Sequence, residues 1–502
     1  MRKRIDDFLN NSYIIKSLFI ISCILFVLPS LIYLFNNKTI YGFDKWFCFF
    51  MNDSNRNFQT MIYILILTIM TVLYFIIIKK NNEFFKGIKD ILIYVLIASC
   101  VFIFSINFTS SDVFYYLGIG RLDSKYGQNP YYTTIKEYVD SNSVDESDTV
   151  LMQGYLNDWA DTTVVYGSIW TLICKVIGSL SFGNIDIGIF LFRILNIGIH
   201  LLNCYLLYKI SKKKIFPLIY GLNPYMFFEG IMCLHNDIYV VCFILLALYF
   251  LIEKKKLAIS LVFLVIATDI KYFAVLLLPL FILYSYKSEN IKKRVLKCLE
   301  YGVFFLVIAF IPYLLYIKDI NVFAGIFTQQ TKFAKNFYII IMKYFGDFSV
   351  QSLSGEVESL PVFINQIMLY TFIFIYFIYN IFLLLKKKIE FEKEAKSLET
   401  FFVAFLFLLI TNFQPWYVMW LFPLIIWQKK SDIKLIIQLS LIIEFANSVF
   451  LALSEEWENG AFFTFIVLGG VFICWYWNKI NCIENDKITV KEVEWYEGNY
   501  FS

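Results

Sequence analysis

Four groups of polar and ionisable residues interrupt a chain that is otherwise strongly apolar. A carboxylate can take a proton from a hydroxyl group, and a lysine or histidine can neutralise the charge that grows on a phosphate. Ionisable side chains are costly at membrane depth, so their presence beside apolar runs indicates function. The residue types predict acid–base chemistry on a phosphate-bearing substrate. The groups are Ser110-Ser-Asp112-Val-Phe-Tyr-Tyr116, His235-Asn-Asp237, Asp269-Ile-Lys271 and Gln414-Pro-Trp-Tyr417.

A sugar phosphate carried on a lipid would suit such residues. The lipid tail would lie in the bilayer, and the phosphate would sit at headgroup depth, where Lys271, Arg193 and His235 would neutralise its charge. A nearby carboxylate would deprotonate an acceptor hydroxyl. The sequence contains no Walker or Rossmann loop of the kind that binds a nucleotide. These features favour group transfer from a lipid-linked donor.

Each group also has a plainer interpretation. A carboxylate just beyond a helix end, such as Asp112, is often a cap or a solvated terminus. Lys271 can extend along the apolar surface with its ammonium group in water, and His235 can be a polar tip among headgroups. Trp416 and Tyr417 have the composition of an aromatic belt. The convergence of four groups on one membrane face is harder to explain in this way.

The composition is that of a polytopic membrane protein. Of 502 residues, 59% are hydrophobic and 17% are charged, whereas soluble domains carry about a quarter charged residues. The net charge of +4 provides no broad field for nucleic acid, so nucleic acid is not expected as a partner. We predict an all-α fold in the lipid bilayer with about 14 transmembrane helices, in a range of about 11 to 14. The predicted spans are Ser17–Phe35, Thr60–Ile78, Ile91–Phe108, Ile187–Leu207, Phe216–Leu234, Ile238–Ile252, Leu257–Thr268, Phe273–Tyr286, Leu299–Leu315, Val362–Leu385, Phe401–Thr411, Trp416–Trp427, Leu435–Leu453 and Ala461–Trp477.

The lysine clusters set the predicted orientation. Most of them, including Lys212–Lys214 and Lys386–Lys388, fall on the side of the N-terminus, as the positive-inside rule requires. We interpret Tyr166–Leu180 as a re-entrant or interfacial helix, because a full crossing would move Lys212–Lys214 to the outside. Both termini are therefore expected in the cytoplasm, and the four polar groups at the external face. The high Ile, Lys, Asn, Phe and Tyr usage is typical of an AT-rich bacterial genome, which predicts a plasma membrane.

These assignments divide the chain into six regions. Long loops that carry their own motifs commonly contribute to function, so the first external loop is expected to be catalytic. The regions are N-terminal transmembrane helices at 1–108, an external catalytic loop with interfacial or re-entrant helices at 109–186, core transmembrane helices with catalytic hairpins at 187–315, a second external loop at 316–361, C-terminal transmembrane helices at 362–480 and a cytoplasmic tail at 481–502.

The cysteine and histidine pattern argues against two kinds of site. The ten cysteines lie mostly in apolar stretches and form no C-x-x-C pair, and the only histidines are His200 and His235. Neither a disulfide framework nor a Cys/His zinc site is therefore expected.

The motifs around the polar groups resemble those of the GT-C superfamily of integral-membrane glycosyltransferases, and they are most similar to polyprenyl-phosphate-mannose-dependent α-mannosyltransferases. The most specific part is Leu222-Asn-Pro-Tyr-Met-Phe-Phe-Glu-Gly230 followed by His235-Asn-Asp237, which is similar to the family pattern N-P…E-G…H-N-D. Val165-Tyr-Gly-Ser-Ile-Trp170 carries Ser168 where the family has a proline. The other motifs that carry the resemblance are Asp112-Val-Phe-Tyr-Tyr, Tyr126-Gly-Gln-Asn-Pro-Tyr-Tyr132, Ala267-Thr-Asp-Ile-Lys271 and Gln414-Pro-Trp-Tyr-Val-Met-Trp-Leu-Phe-Pro423.

The resemblance implies a GT-C-like fold and an inverting hexosyltransferase. Such an enzyme moves a sugar, mannose in the nearest relatives, from a polyprenyl-phosphate carrier to an acceptor hydroxyl at the external membrane face. The acceptor would be a glycan, a glycolipid or a protein. Asp112 would be the general base, and Lys271 with His235 or Arg193 would hold the leaving phosphate.

The resemblance also implies further contacts with the substrate. Asn236 and Asp237 would orient the sugar or bind a cation. No cofactor is certain; if a divalent cation such as Mg²⁺ or Mn²⁺ is used, Asp237 and Asp112 are the expected ligands. The other residues expected at the site are Tyr131, Tyr166, Gln414 and Trp416.

Two other functions are compatible with the sequence. A lipid-linked oligosaccharide flippase or transporter would have a similar number of spans, although a carrier places its charges near the midplane on broken helices. An oligosaccharide polymerase or ligase shares the external acceptor site and the long loop, although it usually depends on arginines there, and this loop has few. Both stay open as alternatives to transfer of a single sugar.

Overall fold

The computed structural model of the protein describes residues 8–37, 53–107, 110–325, 348–351 and 357–453, and a few isolated positions between 341 and 345 and between 466 and 473. Nearly all regular structure in these residues is helical. The predicted class, an all-α polytopic membrane protein, is confirmed.

Five helices of the described part are long and apolar enough to cross a membrane. Met226–Met232 and Asp237–Glu253 provide a sixth crossing if they act together, and they meet at a bend of 103°. The exact number of spans stays a prediction. The five long helices lie within Ser12–Asn37, Asp53–Lys79, Ile185–Ser211, Ile291–Leu315 and Leu360–Leu385.

The remaining elements are shorter. The other α-helices are Asn81–Phe84, Ile88–Val101, Asp112–Ser124, Ile135–Ser141, Thr149–Tyr155, Ser168–Leu180, Ile215–Gly221, Asp237–Leu248, Leu257–Ile270, Leu278–Ser285, Phe391–Ala404 and Lys430–Leu453. The 3₁₀-helices are Phe102–Phe104, Tyr272–Leu277, Ile311–Leu315, Ile320–Phe323 and Pro415–Trp427. The π-helices are Met226–Met232, Tyr249–Glu253 and Phe405–Leu409.

Prolines coincide with the places where predicted spans are divided. The predicted span Phe216–Leu234 contains an α-helix that ends at Gly221 and a π-helix that starts at Met226, with Pro224 between them. Proline has no backbone N–H to donate and disfavours helical geometry in the residue before it. The predicted span Phe273–Tyr286 likewise changes from 3₁₀ to α geometry beside Pro279. These breaks matter because polar groups of the site lie next to them.

The core of the molecule lies around residues 215–248, where nearly every side chain is buried. The helix Leu360–Leu385 is the opposite case, because only 6% of its most apolar window is buried within the protein. Apolar surface of this extent is explained by contact with lipid. The central segment therefore positions the buried polar groups, and the outer helices face the bilayer.

The connection from residue 110 to residue 184 folds into four short helices. Asp112–Ser124 packs closely on Ser168–Leu180, where Gly120 faces the carbonyl of Cys174 and leaves no room for a side chain. The close packing holds the start of Asp112–Ser124 in a fixed position relative to the core.

An ionic cluster stabilises the same connection. The buried Asp148 carboxylate accepts hydrogen bonds from Arg121 Nε at 2.8 Å, Lys125 Nζ at 3.0 Å and the Tyr126 hydroxyl at 3.0 Å. Burial by itself raises the pKa of Asp148, but the three donors outweigh it, and the pKa lies below its ordinary value. Asp148 is therefore a charged structural anchor of the loop.

The region after Phe323 contains an element that the sequence analysis does not predict. Strand Ser349–Gln351 pairs antiparallel with Val357–Ser359, with Ser349 opposite Ser359. The predicted span Ala461–Trp477 lies mostly outside the described residues, and the predicted tail at 481–502 lies entirely outside them.

Candidate active site

A cavity of about 340 Å³ lies between the connection 110–166 and the segments 270–273 and 405–420. It brings together residues from three of the four predicted groups, because Asp112, Lys271 and Gln414 all line it. Aromatic rings form much of its wall, which suits the flat apolar faces of a sugar ring. The aromatic lining includes Tyr115, Trp159, Tyr166, Trp416, Tyr417 and Trp420.

Asp112 is the first residue of the helix Asp112–Ser124, where the partial positive charge of the helix N-terminus stabilises a carboxylate. Its side chain is 12% exposed and opens to the cavity. Its Oδ2 atom is 3.4 Å from the Tyr116 hydroxyl and 3.6 Å from His235 Nδ1. The carboxylate is in position to accept a proton from a hydroxyl group bound in the cavity.

His235 lies fully buried directly behind the cavity wall. Its ring stacks on Trp416 with centroids 3.5 Å apart and an interplanar angle of 15°. Its Nε2 atom is 3.1 Å from Glu229 Oε2, on the side away from Asp112. His235 therefore connects the cavity-lining carboxylate to a second, buried carboxylate.

Asn236 and Asp237 are also fully buried, at the start of the helix Asp237–Leu248. Trp420 Nε1 donates to Asp237 Oδ1 at 2.6 Å. Asp237 Oδ2 and both polar atoms of the Asn236 side chain have no hydrogen-bond partner among the described residues. Buried polar atoms without partners are rare in folded proteins, so this pair is available to a water molecule, an ion or a group of the substrate.

Lys271 is held between aromatic rings. Its ammonium group lies 5.1 Å from the ring centroid of Tyr166 and 4.8 Å from that of Tyr417, and Nζ is 3.9 Å from Asp237 Oδ1. The side chain is only 13% exposed and lines the cavity. Cation–π contacts and a buried carboxylate orient the ammonium group. This geometry suits a phosphate-binding group better than a lysine that extends into water.

Asp269, two residues before Lys271, joins this segment of the chain to the helix Ser168–Leu180. Its Oδ2 atom accepts hydrogen bonds from Ile169 N at 2.6 Å and Ser168 Oγ at 2.9 Å, at the start of the helix Ser168–Leu180. Gly167 approaches the Asp269 backbone too closely for a side chain. No local motif assigns Asp269 an individual role, because its partners lie about 100 positions earlier in the chain.

The cavity wall includes Tyr166 and Gln414 but not Tyr131. Tyr166 lines the cavity, and the Tyr131 hydroxyl donates to its carbonyl oxygen at 2.9 Å from a position outside the cavity lining. Gln414 lines the cavity and donates to Asn412 Oδ1 at 2.8 Å. Tyr131 therefore supports the wall, whereas Tyr166 and Gln414 form part of it.

The structure does not bring Arg193 to the cavity. Its buried guanidinium donates to the carbonyl oxygens of Ser105 at 2.6 Å and Met232 at 2.9 Å, and to Asn107 Oδ1 at 2.7 Å. The side chain joins the end of one helix to the central segment. This geometry favours a structural role over contact with a donor phosphate.

The predicted cation ligands are partly engaged with protein groups. Asp237 Oδ2 and Asn236 Oδ1 are oxygen donors of the kind that Mg²⁺ and Mn²⁺ accept, but Lys271 already places a positive charge beside Asp237. Asp112 Oδ2 faces His235. A divalent cation held by Asp112 and Asp237 stays a prediction.

A carboxylate, an ammonium group and an aromatic wall in one cavity of a helical membrane protein form the arrangement expected of a membrane-embedded glycosyltransferase. The chain belongs to the MptA_B family, described as alpha-(1->6)-mannopyranosyltransferase, N-terminal domain, whose family model matches residues 28–287, slightly more than half of the chain. The protein is thus a glycosyltransferase that acts on mannose, and the predicted resemblance is confirmed. A comparison with curated proteins gave no match.

Proposed function

We propose that the protein is an inverting GT-C-type mannosyltransferase, which moves mannose from a polyprenyl-phosphate carrier to an acceptor hydroxyl at the external face of a plasma membrane. The observation that carries the proposal is the placement of Asp112 and Lys271 in the same cavity. A base for the acceptor and a cation for the leaving phosphate are the two groups that a single displacement requires.

The reaction follows from these two groups. Asp112 takes the proton of the acceptor hydroxyl while that oxygen forms a bond to the anomeric carbon of mannose. The bond between this carbon and the phosphate oxygen breaks, and its electron pair leaves with the polyprenyl phosphate, beside Lys271. One displacement inverts the anomeric carbon, so a β-linked donor gives an α-linked product. An α linkage agrees with the description of the family.

An apolar groove supports a lipid-linked donor. It has a volume of about 550 Å³ and lies between the helices Leu360–Leu385 and Phe391–Ala404. Leu409 lines both the groove and the cavity, so the two are neighbours. A hydrocarbon chain in this groove would leave its phosphate near the cavity that holds Lys271.

Transfer from a labelled donor tests the proposal. Purified protein with radiolabelled polyprenyl-phosphate mannose and an α-mannan acceptor should move the label to the acceptor, and NMR should show an α linkage. GDP-mannose serves as the matched donor without a lipid. Transfer from GDP-mannose in preference to the lipid-linked sugar would contradict the proposed donor, and a β-linked product from a β-linked donor would contradict inversion.

The same assay separates the alternative functions. A flippase would move the lipid-linked sugar across a reconstituted bilayer without breaking the sugar–phosphate bond. A polymerase or ligase would transfer a preassembled oligosaccharide in preference to a single mannose. The mannosyltransferase family favours transfer of one sugar.

Cysteine labelling tests the proposed orientation. Glu146 is exposed in the first long connection, and Lys388 is 83% exposed after the helix Leu360–Leu385. A membrane-impermeant maleimide should label Glu146→Cys in intact cells, and Lys388→Cys only after lysis, each compared with the parent protein. The reverse pattern would place the cavity on the cytoplasmic side.

A further inference from the structure

Three buried side chains meet at one point behind the cavity. A carboxylate oxygen of Glu229, Sγ of Cys233 and a ring nitrogen of His235 all lie within 4.8 Å of one another, and each residue is at most 1% exposed. Glu229 Oε2 is 3.1 Å from His235 Nε2. A tetrahedral zinc ion with bonds of about 2.0–2.3 Å separates its ligands by about 3.3–3.8 Å, so the side chains are spaced much like metal ligands.

The local backbone brings these side chains together from seven consecutive residues. Glu229 lies in the π-helix Met226–Met232, and Cys233 ends it four residues later. Leu234 then adopts a left-handed conformation with φ of 62°, which turns the chain before His235. Short π-helices are frequently found at functional sites, and a left-handed leucine costs conformational energy. An unfavourable backbone is thus retained where three potential ligands meet.

The cluster concentrates buried acidic groups. Both carboxylate oxygens of Glu229 and both ring nitrogens of His235 lack a well-directed hydrogen bond among the described residues. A second buried carboxylate, that of Glu444, lies against Glu229 and accepts the Tyr63 hydroxyl at 2.9 Å. Two buried carboxylates in contact require a proton or a cation between them. The site therefore has both the donor atoms and the excess negative charge for a cation.

We propose that Glu229, Cys233 and His235 bind one zinc ion in a closed site behind the cavity. The sequence predicted no Cys/His zinc site because it has no C-x-x-C pair, whereas here folding adds a carboxylate to one cysteine and one histidine. A set of thiolate, imidazole and carboxylate suits Zn²⁺, whereas Mg²⁺ and Mn²⁺ prefer oxygen ligands. With a neutral imidazole, the two charges of the ion are balanced by one thiolate and one carboxylate, so the buried site is neutral. Glu444 lies beside Glu229, and the carbonyl oxygen of its neutral carboxyl group would be a fourth ligand that keeps this charge balance.

The neighbouring carboxylate supports the assignment. A histidine that binds zinc through one nitrogen commonly directs the other toward a carboxylate, which fixes the orientation of the ring. His235 has this arrangement, because Nε2 faces Glu229 and Nδ1 faces Asp112 at 3.6 Å. The ion would therefore hold His235 in place beside the proposed base. The site is distinct from the predicted Mg²⁺ or Mn²⁺ site at Asp112 and Asp237, and it does not depend on the identity of the sugar donor.

The metal content of the purified full-length protein tests the proposal. Protein from cells grown with added zinc, purified without chelators, should contain about one zinc ion per chain by inductively coupled plasma mass spectrometry. A closed structural site retains its ion during purification. Cys233→Ser and Glu229→Gln should lose most of it. Cys242→Ser is the matched control, because Cys242 is equally buried but lies outside the cluster.

Cobalt exchange provides a second measurement that does not depend on activity, and its positive signal comes from the wild-type protein, whatever the stability of the variants. The wild-type protein and Cys242→Ser should show a thiolate-to-Co²⁺ charge-transfer band, and Cys233→Ser should lack it. Wild-type protein that carries neither zinc nor this band would overturn the proposal. Zinc retained at the wild-type level by a folded Cys233→Ser variant would also overturn it.

Discussion

Arg193 and the segment His235–Asp237 are both buried polar features of the core, but their polar atoms are used differently. The Arg193 guanidinium donates to a ring of backbone and side-chain oxygens. Asp237 Oδ2 and the Asn236 amide have no partner among the described residues, and Asp237 contacts Lys271 and Trp420, which line the cavity. A buried charge whose hydrogen bonds are made within the protein stabilises a fold, whereas unpartnered groups beside a cavity are available to a ligand.

This difference separates two consequences of substitution. Loss of Arg193 would leave several buried oxygens without a hydrogen-bond donor, so the folded protein would be less stable. Loss of a cavity-lining group would leave the core packing unchanged, so the reaction rate would fall without a loss of stability. The following substitutions test that division.

Asp112→Asn should have the largest effect on activity. The amide keeps the shape of the side chain but cannot take a proton, and general-base catalysis contributes about 10²–10⁴-fold. We expect turnover to fall by that factor while the melting temperature and donor binding stay near wild type, as measured by the transfer assay, a thermal melt and donor titration. Normal turnover would remove Asp112 from the mechanism.

Arg193→Met should instead destabilise the protein. Without the guanidinium, several buried carbonyl and amide oxygens lose their donor, and each unsatisfied group costs about 1–3 kcal/mol of unfolding free energy. We expect a lower yield of folded protein and a lower melting temperature in detergent, with little change in turnover per folded molecule. A stable variant that has lost donor binding would show that Arg193 contacts substrate after all.

Lys271→Ala should weaken the donor step. A hydrogen bond to a charged group contributes about 1.5–3 kcal/mol, which corresponds to about 10–150-fold in kcat/KM. Lys271→Arg is the control, because it keeps the positive charge and should retain more activity. The measurement is the dependence of rate on donor concentration. An unchanged dependence in the alanine variant would return Lys271 to a purely interfacial role.

Asp269→Ala should affect both stability and rate to a moderate degree. Loss of a helix cap costs about 0.5–2 kcal/mol, and the loss also frees the segment that carries Lys271. We expect a rise in KM for the donor with a small fall in melting temperature. Asp148→Asn is the control variant. It also weakens the first long connection, but among the described residues Asp148 makes no hydrogen bond to the segment that carries Lys271. Equal changes in KM for the two variants would argue against a positioning role for Asp269.

The smallest effect is the pH dependence of the loop anchored by Asp148. Its pKa is below the ordinary value in the folded protein, so the stabilisation is present above the ordinary carboxyl pKa and is lost as pH falls through the folded value. Thermal melts at decreasing acidic pH should show a loss of stability that is weaker in Asp148→Asn. Identical pH profiles would mean that other carboxylates dominate.

Much of the candidate site could be predicted from the sequence because its signals are local. Each of the residues Asp112, His235 and Lys271 lies beside an apolar run. An ionisable side chain at membrane depth costs free energy, so its presence there indicates a function. The predicted order and orientation of the spans placed them on one membrane face. In the structure, Asp112 and Lys271 line the same cavity, and His235 lies 3.6 Å from Asp112. Arg193 carried the same local signal, but its hydrogen-bond partners lie 39 to 91 positions away, so its separation from the cavity was not visible.

The sequence by itself determined the membrane class and the identity of the polar groups, because hydropathy, charge and motif spacing act over short stretches of chain. Only the tertiary structure decided which polar atoms are satisfied and which are not. It placed Asp269 on the start of a helix 100 positions earlier and Glu444 beside Glu229, more than 200 positions away. Such contacts depend on how helices pack against each other, and no local pattern of residues records that packing.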